Sequence, residues 1–177
     1  MAAPRAESAP RAADDPGAIP ALLEANAGYA AGFRGAGLAA PPRWRLVVVT
    51  CMDARIDPAA AFGLAPGDAH VIRNAGGSAR EALRSLVISQ RLLGTRSVAL
   101  IKHTDCGMGS LKVAELKAQM AESGADAAGI EWYPFSELEP AVRAELSFLR
   151  SSPLIAAQEI RGFVYETATG WLREVGL

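Results

Sequence analysis

The sequence has few residues that can bind a soft metal ion or form a disulfide. Its 177 residues include only two cysteines and two histidines, which are Cys51, Cys106, His70 and His103. So few ligands exclude a disulfide scaffold and most zinc-finger modules. Any chemistry that depends on a thiol or an imidazole must therefore use these four side chains.

Other features that the sequence lacks exclude further classes of protein. The net charge is −1, which argues against sequence-independent binding of nucleic acid. No apolar run approaches the ~20 residues that span a bilayer, so no membrane partner is expected. No G-x-G-x-x-G motif follows the first apolar strand, which excludes a Rossmann nucleotide binder.

The first 17 residues are rich in alanine, proline and charged side chains. They contain no apolar core of a secretory signal, and their acidic residues (Glu7, Asp14 and Asp15) are unlike a transit peptide. We predict a disordered or extended arm over 1–17 and one domain over 18–177. We also predict a cytoplasmic location, where both thiols stay reduced.

Apolar strands and amphipathic helices alternate along the rest of the chain. Short apolar runs predict strands buried on both faces at 45–50 and 97–102, and a further strand is predicted at 69–73. Helices are predicted over 18–33, after Ser78, over 110–122 and over 140–150. A hairpin is predicted from strands at 162–166 and 171–175, and a surface loop over 123–139. This order predicts an α/β fold with a mostly parallel central sheet flanked by helices and a C-terminal antiparallel hairpin strand.

Three of the four scarce residues follow predicted strands directly. Cys51 follows the first strand, and His103 and Cys106 follow the third with H-x-x-C spacing. Functional sites of open α/β sheets lie at the carboxyl ends of strands, so these side chains converge if the two strands are neighbours. Two thiolates and one imidazole leave one position open, which is the arrangement of catalytic zinc. We therefore predict one Zn²⁺ per chain in a single zinc-binding domain.

Each of these residues also has an ordinary interpretation. A cysteine at a strand end is often a small buried apolar side chain, and a histidine there is often a hydrogen-bonded loop residue. A Cys51–Cys106 disulfide is a further alternative, which a reducing compartment disfavours. The joint placement of three such residues favours the metal site. His70 lies inside the second strand and is predicted to be a core or edge histidine.

Asp53 and Arg55 are the candidate catalytic residues. They lie two positions apart just after Cys51, where a carboxylate and a guanidinium can form a bidentate pair. An ordinary local salt bridge is the alternative. Beside a metal, the paired carboxylate stays ionised and can accept a hydrogen bond from a metal-bound hydroxide, which it thereby orients.

The segments CMDAR at 51–55, RNAGG at 73–77 and HTDCG at 103–107 together resemble the β-class carbonic anhydrases, in particular the short members of that family. The resemblance extends from Leu46 to Gly109 and more loosely to 161–170. It implies a β-carbonic-anhydrase-like fold, with zinc on Cys51, His103 and Cys106. It also implies a lyase that hydrates CO₂ reversibly to bicarbonate and a proton, acting as a homodimer or a dimer of dimers.

Several alternatives remain open at the level of the sequence. The same zinc site can hydrolyse carbonyl sulfide or carbon disulfide, and a non-catalytic zinc-binding or redox-sensing protein is a third interpretation. The turn at 74–77 either lies beside the site or only connects a strand to a helix. The glutamine that lines the pocket in many family members is absent from 22–33. Tyr29 and Phe33 are candidates for a pocket across a dimer interface, or for core packing.

Overall fold

The structure is a computed structural model that describes residues 17–176. Residues 1–16, which form nearly all of the predicted arm, lie outside the described part. The chain divides after Leu38 into two units, which are described separately. In the first unit, α1 spans Ala18–Ala31, with Gly32 as its C-cap residue, close to the predicted boundaries. The rings of Tyr29 and Phe33 lie 5.7 Å apart, centroid to centroid.

The second unit, from Ala39 onward, is built on a five-stranded sheet. Its strands are β1 (Leu46–Cys51), β2 (Ala69–Asn74), β3 (Ser97–His103), β4 (Glu159–Tyr165) and β5 (Leu172–Val175). Its helices are α2 (Pro58–Phe62), α3 (Ala79–Arg91), α4 (Val113–Glu122) and α5 (Leu138–Ser151). Within residues 17–176, no helix has the length and apolar character needed to cross a membrane.

The sheet confirms the predicted α/β architecture. The strand order is β2-β1-β3-β4-β5, in which the first four strands run parallel and β5 pairs antiparallel with β4. Strands β1 and β3 are direct neighbours, with Thr50 opposite Ile101. The carboxyl ends of these two strands therefore meet at the same edge of the sheet, where Cys51 and His103 are the last residues.

Both faces of the central strands are buried, which explains their continuous apolar character. Val47, Val49 and Leu100 belong to a core cluster that includes residues of α3 and α5. The alternate residues Val48 and Ile101 belong to a second cluster on the other face. Successive side chains of a strand point to opposite faces. The packing of these core residues therefore also determines the face to which each side chain at the strand ends points.

Local signals in the sequence explain where the helices begin. Ser78 precedes α3, and its hydroxyl accepts a hydrogen bond from the Glu81 amide at 3.4 Å, as its capping position predicted. Helix α5 begins two residues before the predicted Pro140. Helix α4 begins at Val113 rather than at 110, and residues Gly107–Gly109 before it form a separate 3₁₀ turn.

Candidate metal centre

Two thiols and one imidazole meet at the carboxyl end of β1 and β3. The ligand atoms of Cys51, His103 and Cys106 all lie within 4.8 Å of one another. Cys51 and His103 are buried, with 5% and 1% of their surface exposed, and Cys106 is half-buried. Both cysteines are free thiols, so no disulfide joins them. In residues 17–176 this is the one cluster of three such side chains whose geometry suits a metal ion.

The His103 ring is oriented so that one nitrogen faces the thiols without a hydrogen-bond partner. Its Nδ1 lies 2.9 Å from the Thr104 carbonyl oxygen, an acceptor, so Nδ1 carries the proton. In the neutral ring the other nitrogen, Nε2, therefore has a free lone pair, and it is buried without a hydrogen-bond partner among the described residues. A buried polar atom of this kind requires an explanation, and a metal ion provides one.

The electrostatics of the cluster favour a thiolate. A hydrogen bond from Cys106 is the largest influence on Cys51 and lowers the pKa of that thiol to about 4, with His103 and two backbone amides acting in the same direction. The same interaction raises the pKa of Cys106, since the two sulfurs compete for one proton. Burial opposes the charged form of His103, but the Cys51 thiolate outweighs it and the pKa of His103 is raised.

The donor set fits zinc. Zinc in proteins takes thiolate and imidazole ligands at about 2.3 and 2.0 Å, which places tetrahedral ligand atoms roughly 3.5–3.8 Å apart. The three ligand atoms of the cluster lie within 4.8 Å of one another, close enough for one ion to contact all of them. Three protein ligands leave one coordination position for a water or substrate, as in catalytic zinc sites.

Asp53 and Arg55 form the predicted bidentate pair beside the cluster. Arg55 Nε donates to Asp53 Oδ1 at 3.0 Å and Nη2 donates to Oδ2 at 2.7 Å. The hydrogen bond from Arg55 holds the pKa of the Asp53 carboxyl well below its usual range, so Asp53 is ionised at neutral pH. Asp53 Oδ2 lies 3.8 Å from His103 Nε2, at the edge of the metal cluster.

Asp105 is a site residue that the sequence analysis missed. Arg55 Nη1 donates to Asp105 Oδ2 at 2.6 Å, and Nη2 donates to the Asp105 carbonyl oxygen at 2.9 Å. Asp105 has a left-handed backbone conformation with φ of 54°, which aspartate tolerates better than most residues. The guanidinium of Arg55 is therefore held from both sides. The one available signal was the acid between the two ligands in the HTDCG segment.

A second arginine holds the segment that carries Asp53. Arg73, at the end of β2, donates from Nε to the Cys51 carbonyl oxygen at 3.0 Å and from Nη2 to the Asp53 carbonyl oxygen at 2.7 Å. These bonds fix the backbone between the metal cluster and the carboxylate. The 73–77 segment thus contributes to the site by its first residue as well as by its glycines.

The glycine turn that follows β2 packs directly against β1. Gly76 and Gly77 have φ of 71° and 61°, and they lie in a short 3₁₀ turn at Ala75–Gly77. A Cβ on Gly77 would lie 3.1 Å from the Cys51 nitrogen and from the Ile101 carbonyl oxygen. Only glycine combines this conformation with this approach. Of the two interpretations of the turn, the structure supports proximity to the site.

His70 does not take part in the cluster. It lies on the edge strand β2, and both ring nitrogens have hydrogen-bond partners, Ser89 Oγ at 2.8 Å and the Ala40 carbonyl oxygen at 3.3 Å. The prediction of an edge histidine is confirmed.

Comparisons with known proteins agree with this geometry. Residues 46–133 match the family model described as carbonic anhydrase. β-Carbonic anhydrase 1 of Mycobacterium tuberculosis is 42% identical over 159 residues, which cover 86% of this chain and 94% of that protein. The chain belongs to the β-carbonic anhydrase family. The carbonic anhydrase structure from Streptococcus mutans superimposes with a TM-score of 0.83 at 40% identity, over 89% of this chain and 97% of that one.

Some relatives are named for another activity. A carbon disulfide hydrolase of Acidithiobacillus thiooxidans is 30% identical over 155 residues, which cover 75% of this chain and 78% of that protein. Membership of the β-carbonic anhydrase family nevertheless identifies the chain as an enzyme of the carbonic anhydrase class. Zinc is the cofactor of this family, and the Cys51–His103–Cys106 cluster is able to bind it.

Proposed function

We propose that this β-carbonic anhydrase catalyses the reversible hydration of CO₂ to bicarbonate and a proton at the Cys51–His103–Cys106 cluster. The observation that carries the proposal is the lone-pair nitrogen of His103 facing two thiols, 3.8 Å from the ionised carboxylate of Asp53. A purely structural zinc site needs no such carboxylate, which argues against the non-catalytic interpretation.

Cys51, His103 and Cys106 would hold the ion. When bound, zinc supplies a Lewis acid that lowers the pKa of a water ligand so that a nucleophile is available near neutral pH. The Thr104 carbonyl oxygen fixes the tautomer and the direction of the His103 ring. The backbone amides of Asp53 and Gly76 face the Cys51 sulfur and stabilise its negative charge.

Asp53 orients the reacting water. An ionised carboxylate can only accept hydrogen bonds, so Asp53 accepts a hydrogen bond from the reacting water. This contact directs a lone pair of the water oxygen toward the carbon of CO₂. Arg55 keeps Asp53 ionised and keeps it in place, and Asp105 in turn holds Arg55.

The test is to measure zinc per chain and CO₂ hydration by stopped flow on the same preparation. We expect one zinc per chain and activity that is lost together with the metal in Cys51→Ser. Serine keeps the size of the side chain but removes the thiolate, and within the sequence no third cysteine can replace it. Protein that holds no zinc, or a fully active Cys51→Ser variant, would refute the proposal.

Hydrolysis of carbon disulfide or carbonyl sulfide is the second candidate function. It is favoured by the relatives that are named carbon disulfide hydrolases, at 30% and 32% identity. These molecules are linear and have an electrophilic carbon, as CO₂ does, so the same residues would serve. Sulfide release from each substrate, measured beside CO₂ hydration on one preparation, distinguishes the two activities by their kcat/KM.

We also propose that the chain acts as a homodimer or a dimer of dimers. Strand β2 has no neighbour on its outer side in the described sheet, and an unpaired edge strand favours association. The apolar side chains of Val71, on this strand, and of Ile88, on α3, are 40% and 41% exposed. Light scattering coupled to size-exclusion chromatography tests the proposal, which a monomer at micromolar concentration would contradict. The cytoplasmic location stays a prediction from the sequence.

A further inference from the structure

A lysine is buried beside the metal centre, at a place where the sequence predicted only the end of an apolar strand. Lys102 immediately precedes His103 in β3 and is 2% exposed. Successive side chains of a strand point to opposite faces, so Lys102 lies across the strand from the imidazole. A buried ammonium is strongly disfavoured unless its partners compensate, which makes those partners informative.

The ammonium group has three partners in this pocket. Lys102 Nζ donates to the Gly76 carbonyl oxygen at 2.8 Å, lies 3.9 Å from Glu145 Oε1 and lies 4.9 Å from the centre of the Phe135 ring. Glu145 comes from α5 and is itself buried, and its Oε2 accepts a hydrogen bond from the Ala79 amide at 3.0 Å. Lysine and glutamate therefore form a buried ion pair that contacts the site through the Gly76 carbonyl.

Gly76 connects this ion pair to the metal cluster. Its carbonyl accepts from Lys102, while its amide faces the Cys51 sulfur and lowers the pKa of that thiol. The next residue, Gly77, packs against the Cys51 backbone. The turn is thus held from one side by Lys102 and presents an amide donor to a zinc ligand on the other. Burial lowers the pKa of Lys102, and the charges of Glu145, Cys106 and Cys51 act in the opposite direction, in favour of the ammonium form.

Stability alone does not explain a charge at this place. Replacing a buried ion pair by apolar side chains of similar size is often neutral or stabilising. An apolar side chain at position 102 would, however, leave the Gly76 carbonyl without its donor and would remove the positive charge near the two thiolates. The pair therefore has a use that an apolar core does not supply.

We propose that Lys102, held by Glu145, is a positioning residue that fixes the Gly76 turn against Cys51 and thereby strengthens the retention of zinc. The inference rests on the proposed function in one respect, namely that zinc occupies the cluster. The inference concerns metal affinity, whereas the proposed function concerns turnover, so each of them can be refuted separately.

The test uses the double variant Lys102→Met with Glu145→Gln. This variant leaves no unpaired buried charge, and glutamine still accepts from the Ala79 amide, so the fold is expected to persist. The dissociation constant for zinc is measured by competition with a chelator of known affinity. The protein is also loaded with cobalt, whose absorption reports the thiolate ligands. The matched control is Lys117→Met, which removes an exposed lysine of α4.

We expect the double variant to bind zinc about 10- to 100-fold more weakly, which is the usual effect of removing an outer hydrogen bond from a metal site. We expect its cobalt–thiolate band to shift, and the thermal midpoint of the chelator-treated protein to stay near that of the wild type. Lys117→Met should change none of these. If the double variant unfolds, Lys102→Arg, which keeps the charge and the donors, is the second variant and should stay within threefold of wild-type affinity.

Zinc affinity within twofold of the wild type in the double variant would overturn the inference, and so would weaker binding with an unchanged cobalt band. A Lys102→Arg variant that loses zinc tenfold would also overturn it. A wild-type protein that binds no zinc is a different result, because it contradicts the proposed function itself.

Discussion

The two histidines lie at opposite ends of the sheet, and their hydrogen bonds differ. At the amino end, His70 Nε2 must donate to the Ala40 carbonyl, so Nδ1 accepts from the Ser89 hydroxyl, which in turn is bonded to Thr95 at 2.8 Å. At the carboxyl end, His103 Nδ1 donates to the Thr104 carbonyl and Nε2 has no partner among the described residues. A histidine with both nitrogens satisfied stabilises the fold, whereas one with a buried free lone pair is available to a metal.

The largest expected effect comes from replacing histidine by glutamine, in one variant at each end of the sheet. We expect His103→Gln to lose zinc and to lower kcat/KM for CO₂ by about 10³-fold or more, since the Lewis acid itself is lost. The matched control, His70→Gln, should keep one zinc per chain and activity within about twofold. Metal analysis and stopped-flow kinetics on both variants check this. Equal loss in both variants would erase the distinction between the two ends.

The second variant distinguishes metal binding from orientation of the reacting water at the carboxyl end of the sheet. Asp53→Asn keeps the shape of the side chain but removes the negative charge that pairs with the Arg55 guanidinium, which donates two hydrogen bonds to it. We expect full zinc content with kcat/KM lowered about 10²-fold, as for the loss of a positioned acid–base group. Asp126→Asn, in an exposed loop, is the control and should be fully active. A variant that loses its zinc would mean that Asp53 belongs to the metal site itself.

A smaller effect is expected in stability at the amino end. His70→Gln disturbs the bonds to Ser89 and the Ala40 carbonyl, so the free energy of unfolding should fall by about 1 kcal/mol. Urea unfolding of the zinc-loaded protein measures it. The comparison would be weakened by an unchanged midpoint, because the His70 hydrogen bonds would then contribute nothing to the fold.

The smallest expected effect concerns an exposed ion pair at the edge of the sheet, and it is a reference for the three larger effects above. Arg161 in β4 pairs with Glu174 in β5, and this hydrogen bond lowers the pKa of the Glu174 carboxyl. A lowered pKa stabilises the fold above the ordinary value of 4.5, and the gain disappears as the pH falls through the folded value. Because the pair is exposed, Glu174→Gln should lower the thermal midpoint by about 1 °C at pH 7 and by less below pH 4. If the difference in thermal midpoint between Glu174→Gln and the wild type grew as the pH fell, the expected direction of this pH dependence would be wrong.

Most of the fold could be predicted from local patterns. The β-branched runs ending at Thr50 and Lys102 identified β1 and β3, because strands buried on both faces have continuous apolar sequences. The turn at 167–170 identified the C-terminal hairpin, which the antiparallel pairing of β4 and β5 confirms. The boundary of α4 was misplaced, since the glycines at 107 and 109 favour a tight turn that periodicity does not show.

The site was predictable only where its residues are close in sequence or follow neighbouring strands. Asp53 and Arg55 are two positions apart, so their pairing could be predicted from spacing. The bond from Arg55 to Asp105 joins residues 50 positions apart, and no periodic pattern indicates it. The ion pair of Lys102 and Glu145 likewise depends on how α5 packs against β3. Such contacts are set by tertiary packing, which spacing does not encode.

The placement of the three candidate metal ligands on separate stretches of chain has a consequence for folding. Cys51 ends β1 and Cys106 follows β3, so an ion held by both thiols cross-links two points roughly 55 residues apart. For a covalent cross-link, closing a loop of that length in the unfolded chain corresponds to about 4 kcal/mol. Bound zinc would then cross-link the chain at the ends of the two central strands, β1 and β3. Its removal would be observed twice, as lost turnover and as a lower temperature of unfolding.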